Sequence, residues 1–351
     1  MPNTPDPLAH ALRQLAFGRA LTRQETTDAF AVLMRGEAPP AQVAALLMGL
    51  RVKGETASEL AGAADALRAA MVPLPFPSEY TSARSTRLVD TCGTGGGSVG
   101  TFNISTAAAF VAAAAGVGVA KHGNRSFTSR SGSADVLEAL GVDIALAPQH
   151  AADALARHGF VFLFAPVYHP AMRHVGPARK ELGVPTVMNL LGPMANPAGV
   201  HGQVVGVADR DRAPLVAGAF AELGGIHTLV VHAEVGMDEI SPHGVTHIWE
   251  VKDGAVATWL VDPAEFGVRD GRLELLKGGE PAENARRIER LLGGGSGVEE
   301  DPEGASAVIL NAGAAIYVGG QAATYREGVD LARDVLRAGD ALRLLERIRL
   351  K

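Results

Sequence analysis

Five glycines fall within eight residues of this chain, Gly93, Gly95, Gly96, Gly97 and Gly100, in the run DTCGTGGGSVGTFNIST from Asp90 to Thr106. An apolar segment, LVDTC, leads into them and an alanine-rich segment follows. Glycine admits backbone with positive φ and lets a ligand approach without meeting a Cβ. The exposed N–H groups of such a loop, together with the N-terminus of the next helix, attract an anion. Asn103, Ser105 and Thr106 add side-chain donors in that first turn. A strand–helix turn needs one or two glycines, so five in one loop point to a phosphate group.

The rest of the chain fits the same reading. After LVDTC come a helical pattern near 104–115, the apolar run VGVAK, a helical pattern near 133–140 and FVFLFAP at 160–166. QVVGVAD (203–209) and HTLVVHA (227–233) continue the alternation, and helical patterns near 281–293, 304–318 and 322–348 close the chain. Short strands alternating with helices specify right-handed βαβ units and a mainly parallel sheet. Residues 7–71 differ, reading as four helices, with capping boxes at Thr22–Glu25 and Thr56–Glu59 and stops at Gly36 and Gly54. VPLPFPSEYTSARSTR (72–87), with three prolines and no periodicity, reads as a hinge. The expectation is an α/β protein with a helical domain over 1–72 and a larger α/β domain over 73–351.

The identity of the phosphate ligand is narrowed by what is missing. Gly95-x-Gly97-x-x-Gly100 matches the dinucleotide fingerprint, but the second strand ends in Ala120-Lys121-His122, with no acidic residue before Asp135. No Gly-Lys-Ser/Thr occurs, so the Walker pattern is absent. The second strand instead delivers KHGNRSFTSRSGSAD, Lys121 to Asp135, a loop of cations, hydroxyls and glycines at a strand's carboxyl end. Two adjacent anion loops suit a ligand with separated phosphates. Gly236-Met237-Asp238-Glu239 follows HTLVVHA and supplies two carboxylates suited to Mg²⁺, which takes one or two carboxylates plus phosphates and water.

Other classes recede. Net charge is −6 and the pI is near 6.0, with no basic stripe, so nucleic acid is not expected as a partner. Cys92 is the single cysteine and reads as a small core residue. His243 and His247 share a metal-like spacing but lie in a turn and strand with no third ligand in view. The uncharged run Thr101–Ala120 carries Asn103, Ser105 and Thr106, so it reads as helix then strand rather than a membrane span. MPNTPDPLAHALRQL lacks the pattern of a secretory signal, and a cytoplasmic protein is expected.

KHGNRSFTSRSGSADVLEALG, GTGG followed by NIST, YHPAMRHV, NLLGPMANPA and the Met-Asp-Glu segment together resemble the anthranilate phosphoribosyltransferases of tryptophan biosynthesis, over essentially the whole chain. The resemblance implies the nucleoside phosphorylase/phosphoribosyltransferase-like fold, with helices near 170–192 returning to the helical domain, and a homodimer. It implies 5-phosphoribosyl-1-pyrophosphate (PRPP) and anthranilate as substrates, Mg²⁺ as cofactor, and no catalytic acid or base. The implied PRPP contacts are Gly93, Gly96, Gly97, Thr101, Asn103, Ile104, Ser105, Thr106, Lys121, His122, Gly123, Asn124, Arg125, Ser126, Phe127, Thr128, Ser129 and Ser133. Gly93, Asn124 and Arg179 fall on anthranilate positions, with His122 and His169 near by, and Ser105, Asp238 and Glu239 fall on metal positions. Gly97 stands where the family has aspartate. A pyrimidine nucleoside phosphorylase-like enzyme and a non-catalytic nucleic-acid-binding relative share the architecture and remain open at this point.

Overall fold

The computed structural model describes residues 6–75, 87–126, 130–268 and 272–349. The first four helices are α1 (Pro7–Ala16), α2 (Arg23–Met34), α3 (Pro40–Lys53) and α4 (Ala57–Ala70). Both expected capping boxes form: Thr22 caps α2 with Glu25, and Thr56 caps α4 with Glu59. Glu59 is fully buried and its carboxylate accepts from Leu21 N (2.8 Å), Thr56 N (2.8 Å) and Lys53 Nζ (2.9 Å). One satisfied buried charge thus joins the α1–α2 connection, the end of α3 and the start of α4. A Cβ at Gly62 would lie 2.3 Å from Arg23 O, so the close α2–α4 crossing requires glycine there.

The sheet has seven strands in the order β3-β2-β1-β4-β5-β6-β7. They are β1 (Leu88–Gly93), β2 (Gly118–Gly123), β3 (Phe160–Phe164), β4 (Gly202–Gly206), β5 (His227–Ala233), β6 (Thr246–Lys252) and β7 (Ala255–Val261). The first five pair in parallel, and β6 and β7 add antiparallel at one edge. The expected mainly parallel sheet is therefore present. The strand expected after His243 is β6, while β7, AVATWLV, was not read; it is an apolar run that lies solvated along most of its length at the sheet edge.

Each central strand is buried on both sides. Val204 packs with the helices on one face, α5 (Ile104–Ala114) and α11 (Pro302–Val318), while its neighbour Val205 packs toward the α1–α4 bundle. Leu229 and Val230 divide in the same way. Two-sided burial explains why these strands read as continuous apolar runs rather than alternating ones. Around them lie α6 (Ser133–Ala139), α7 (Pro148–His158), α8 (Gly176–Leu182), α9 (Ala213–Glu222), α10 (Pro281–Leu292), α12 (Tyr325–Arg337) and α13 (Asp340–Ile348). The pattern at 322–348 is two helices, divided at Gly339, whose φ is 70°.

Residues from 171 to 195 share one apolar cluster with the bundle, where Ala171, Val175, Met188 and Met194 join Leu46 and Leu60. The bundle is also tied to the sheet's helices by polar bonds. Arg23 Nη1 donates to Glu222 O at 2.5 Å, and Arg68 Nε donates to Met194 O at 2.6 Å. Arg212 pairs with the buried Glu55 at 3.1 Å.

At the far edge Glu250 on β6 accepts from Tyr317 Oη (2.8 Å), Trp259 Nε1 (2.8 Å) and the His227 ring (2.7 Å). The His227 bond above all, with those of Tyr317 and Trp259, holds its carboxyl down at about 2. A depressed carboxyl stabilises the fold above its unfolded pKa of about 4.3 and loses that contribution as pH falls through the folded value. Glu250→Gln is therefore expected to cost about 1–3 kcal/mol of unfolding free energy at pH 7. The gap from the parent should close toward pH 2, as read from urea unfolding at several pH values.

Candidate active site

The strand order reverses at β1, since β2 and β3 lie to one side of it and β4 to the other. The carboxyl ends of β1 and β4 thus form the switch point where sheets of this kind open a crevice for ligands. Gly93 ends β1 and pairs directly with Gly206, the end of β4. A Cβ on Gly93 would lie 2.7 Å from Asp238 Oδ2, and one on Gly206 would lie 1.6 Å from Asp238 O. Two bare positions therefore admit Asp238 into the switch point.

The glycine loop closes over that carboxylate. Gly95 and Gly96 adopt φ of 70° and 85°, and the Gly95 N–H donates to Asp238. Gly97 lies outside the left-handed region, and a Cβ there would be 3.0 Å from Asp238 Oδ1. The Gly97 position thus faces Asp238 directly. Glu239 points to the start of α5, where it accepts from Thr101 Oγ1 at 3.0 Å and from the Ser105 N–H. Ser105, Asp238 and Glu239 border one small cavity with Thr91, Cys92 and Asn311. The arrangement is an all-oxygen donor set of two carboxylates and a hydroxyl, which suits a hard cation that takes its other ligands from phosphate and water.

Electrostatics favour a cation here. Burial, then the neighbouring Asp238, pushes Glu239 up to about 8, and burial raises Asp238 as well. Beneath them Asp90 is held at about 6 by burial, against the opposing pull of Lys121 and Asn196. Lys121 is itself buried, with Nζ donating to Thr91 O and reaching Ser105 Oγ at 3.4 Å. One buried ammonium faces the buried Asp90 and the partly buried Asp238 and Glu239, so the region lacks positive charge when no cation is bound.

Lys121 therefore braces the loop from below. Other residues of the sequence-derived set serve the walls. Asn103 donates to Ser131 O (3.0 Å), and its Oδ1 accepts from Ser131 Oγ (3.1 Å) and Asn284 Nδ2 (3.0 Å), joining the two anion loops to α10. Thr106 and Ile104 are fully buried. Ser133 Oγ lies 3.4 Å from Asn124 O, and a Cβ on Gly123 would meet Ser133 Oγ at 2.2 Å. Arg125 is engaged by Glu138 (2.8 Å) and Asp135 (3.0 Å), and Ser126 N by Asp135 (3.0 Å). Phe127, Thr128 and Ser129 lie outside the described residues.

Two side chains that the sequence did not single out, Asn196 and Asp90, hold this frame. Asn196 Nδ2 donates to Asp90 Oδ2 and to Ala120 O, both at 2.8 Å, spanning β1 and β2. Asp90 Oδ1 in turn accepts from His122 N at 3.2 Å. The signal for these was an amide or acid inside an apolar run, which must find partners once buried. His243 and His247 have other duties: His247 lies 2.9 Å from Glu234, and His243 sits in a buried turn where its N–H donates to Ser241 Oγ at 2.9 Å. Burial raises the Cys92 thiol, leaving it a poor nucleophile.

Across the cleft, His122 and His169 face one another with ring centroids 4.9 Å apart. Both rings are buried, with the backbone of Gly192 beside His122 and that of Ala195 beside His169. Arg179 on α8 is half-buried, and no ion-pair partner for it occurs among the described residues.

The helical bundle domain of a glycosyl transferase family matches residues 9–71, and the a/b domain of that family matches residues 85–342. A curated relative, the anthranilate phosphoribosyltransferase of Brevibacillus brevis, is 45% identical over 342 residues, covering 97% of each chain. The chain belongs to the anthranilate phosphoribosyltransferase family. The solved structure of the Thermus thermophilus member superposes with a TM-score of 0.88 at 46% identity, covering 96% of this chain and 98% of that one. The Saccharomyces cerevisiae member, solved with PRPP and Mg, superposes at 0.87 with 29% identity, covering 99% of this chain and 98% of that one. That enzyme has also been solved with 4-fluoroanthranilate. This family is one of glycosyltransferase-type enzymes, and neither the phosphorylase nor the nucleic-acid-binding reading gains support from these relatives.

Burial above all lowers His122 to about 3 and His169 to about 4. A histidine depressed in the folded state contributes stability above its unfolded pKa of about 6.5 and loses it as pH falls below that value. Between about pH 6.5 and 4, unfolding should take up protons at these rings, each worth up to about 1.4 kcal/mol per pH unit. Replacing both with phenylalanine should flatten that slope in denaturant titrations, and ring NMR signals of the parent should stay unshifted from pH 8 to pH 5.

Proposed function

We propose that this chain transfers the phosphoribosyl group of PRPP to anthranilate, giving N-(5-phosphoribosyl)anthranilate and pyrophosphate, as a cytoplasmic step of tryptophan biosynthesis. The observation that carries this reading is the Asp238–Glu239 pair set against the glycine loop at the switch point, with Ser105 on the same cavity. Arg179, half-buried and without an ion-pair partner among the described residues, is the proposed anthranilate anchor, with His122 and His169 as its expected neighbours. The loops at 93–106 and 121–133 would hold the pyrophosphate and 5-phosphate groups through backbone N–H groups and hydroxyls.

Asp238, Glu239 and Ser105 would hold Mg²⁺, which when bound offsets the charge growing on departing pyrophosphate. The C1–oxygen bond breaks with its electron pair passing to pyrophosphate. The anthranilate nitrogen forms the new bond to C1 from the opposite face, and its proton passes to the departed pyrophosphate or to solvent. No general base is required of the protein, in keeping with two histidines held neutral and far below neutrality in pKa. The ribosyl centre is oxocarbenium-like, so rate comes from alignment and from fixed charges around the leaving group. Arg179 would pair with the anthranilate carboxylate. Phe17 and Val52, 77% and 79% exposed on the helical bundle, suit a homodimer formed through that surface.

Two substitutions separate the sites. Arg179→Ala should raise the anthranilate KM about 10- to 100-fold, the scale of a lost charged hydrogen bond, and leave the PRPP KM nearly unchanged. Equal losses for both substrates in steady-state assays would remove Arg179 from the anthranilate site. Asp238→Asn combined with Glu239→Gln should raise the Mg²⁺ needed for half-maximal rate and lower kcat, with circular dichroism unchanged. A parental Mg²⁺ profile in that double variant would show the pair to be uninvolved with metal.

A further inference from the structure

Asn311 sits mid-way along α11, in AVILNAGAAI, and is 4% exposed among buried apolar neighbours. Its amide is fully used. Nδ2 donates to Ile240 O (2.8 Å) and to Ala307 O (2.9 Å), and Oδ1 accepts from Ile240 N (3.0 Å). Ile240 follows Glu239 directly and lies outside every strand. Its buried N–H and C=O would otherwise need partners that no strand supplies.

The loop bearing the two carboxylates is thus fixed at both ends. Before Asp238, Ala233 N donates to Met237 O at 3.1 Å, and Gly236 N donates to Ala233 O at 2.8 Å. After Glu239, the two-point bond from Asn311 fixes the Ile240 peptide in position and in tilt. Asn311 also borders the cavity shared by Ser105, Asp238 and Glu239. A rotation of the Ile240 peptide would move Glu239 away from Thr101 and spread the two carboxylates.

We propose that Asn311 is a positioning residue for the metal pair, setting its affinity for a divalent cation by fixing the Ile240 peptide. The proposal rests on the reading of Asp238 and Glu239 as the cation ligands. A side chain that only stabilised the fold would alter the unfolding midpoint and leave cation affinity per folded molecule unchanged. A group that orients metal ligands from outside the coordination shell typically alters affinity 10- to 100-fold.

The test uses the full chain, with Mn²⁺ as probe and inorganic pyrophosphate present, read by electron paramagnetic resonance without turnover. N311D is isosteric and removes the donor hydrogens. N311S keeps a bond back to Ala307 O within the helix and gives up both bonds to Ile240. L336A, a core cavity in α12 away from the pair, controls for lost stability, and binding is expressed per folded molecule from circular dichroism. N311D and N311S should weaken Mn²⁺ binding about 10-fold or more, and raise the Mg²⁺ needed for half-maximal rate in step. The anthranilate KM should stay within about twofold, and excess Mg²⁺ should restore most of kcat. L336A should bind Mn²⁺ as the parent does. Parental Mn²⁺ affinity in both Asn311 variants, beside lost affinity in the Asp238→Asn/Glu239→Gln protein, would overturn the proposal and leave the metal pair standing. Parental affinity in all of them would overturn the metal pair itself. Equal weakening in L336A would reduce Asn311 to a stability effect.

Discussion

Two glycines that face each other across β1 and β4 set the terms for the rest of this structure. Gly93 and Gly206 leave the switch point of the sheet without side chains, and Asp238 occupies the space that their Cβ atoms would fill. Every other feature of the site follows from admitting a carboxylate there. The loop above must bend around it, which needs the left-handed Gly95 and Gly96. The loop behind must be fastened, which falls to Asn311 and to the close seat against Gly206. The charge below must be partly offset, which is the role of the buried Lys121.

This arrangement stores an imbalance rather than a rest state. Asp90, Asp238 and Glu239 are all raised by burial, while a single buried ammonium stands near them. Lone buried ions are strongly unfavourable, and such sites are relieved by proton uptake or by a cation. The same desolvation acts on His122 and His169, which burial keeps neutral, and lowers the half-buried Arg179 guanidinium.

Much of this was legible in the residues. The glycine cluster, the second cationic loop and the Met237-Asp238-Glu239 segment are local in sequence, and each has a backbone or charge signature of its own. The four N-terminal helices announced themselves through two capping boxes, both of which form. What stayed hidden depends on long-range contact. Gly206 looks like an ordinary strand glycine until it is paired with Gly93 and set against Asp238. Asn196 bridges β1 and β2 from a segment more than a hundred residues after Asp90, and Asn311 reaches Ile240 from a helix that otherwise reads as plain core. β7 escaped notice because its apolar run AVATWLV shows no alternation and lies exposed at the sheet edge.

The account stands or falls on one mixture: the purified chain with PRPP, Mg²⁺ and anthranilate, followed by the loss of anthranilate fluorescence. It predicts a progressive loss matched mole for mole by released pyrophosphate and abolished when Mg²⁺ is chelated. Steady fluorescence in the complete mixture, with cleavage of a pyrimidine nucleoside by inorganic phosphate in its place, would contradict it.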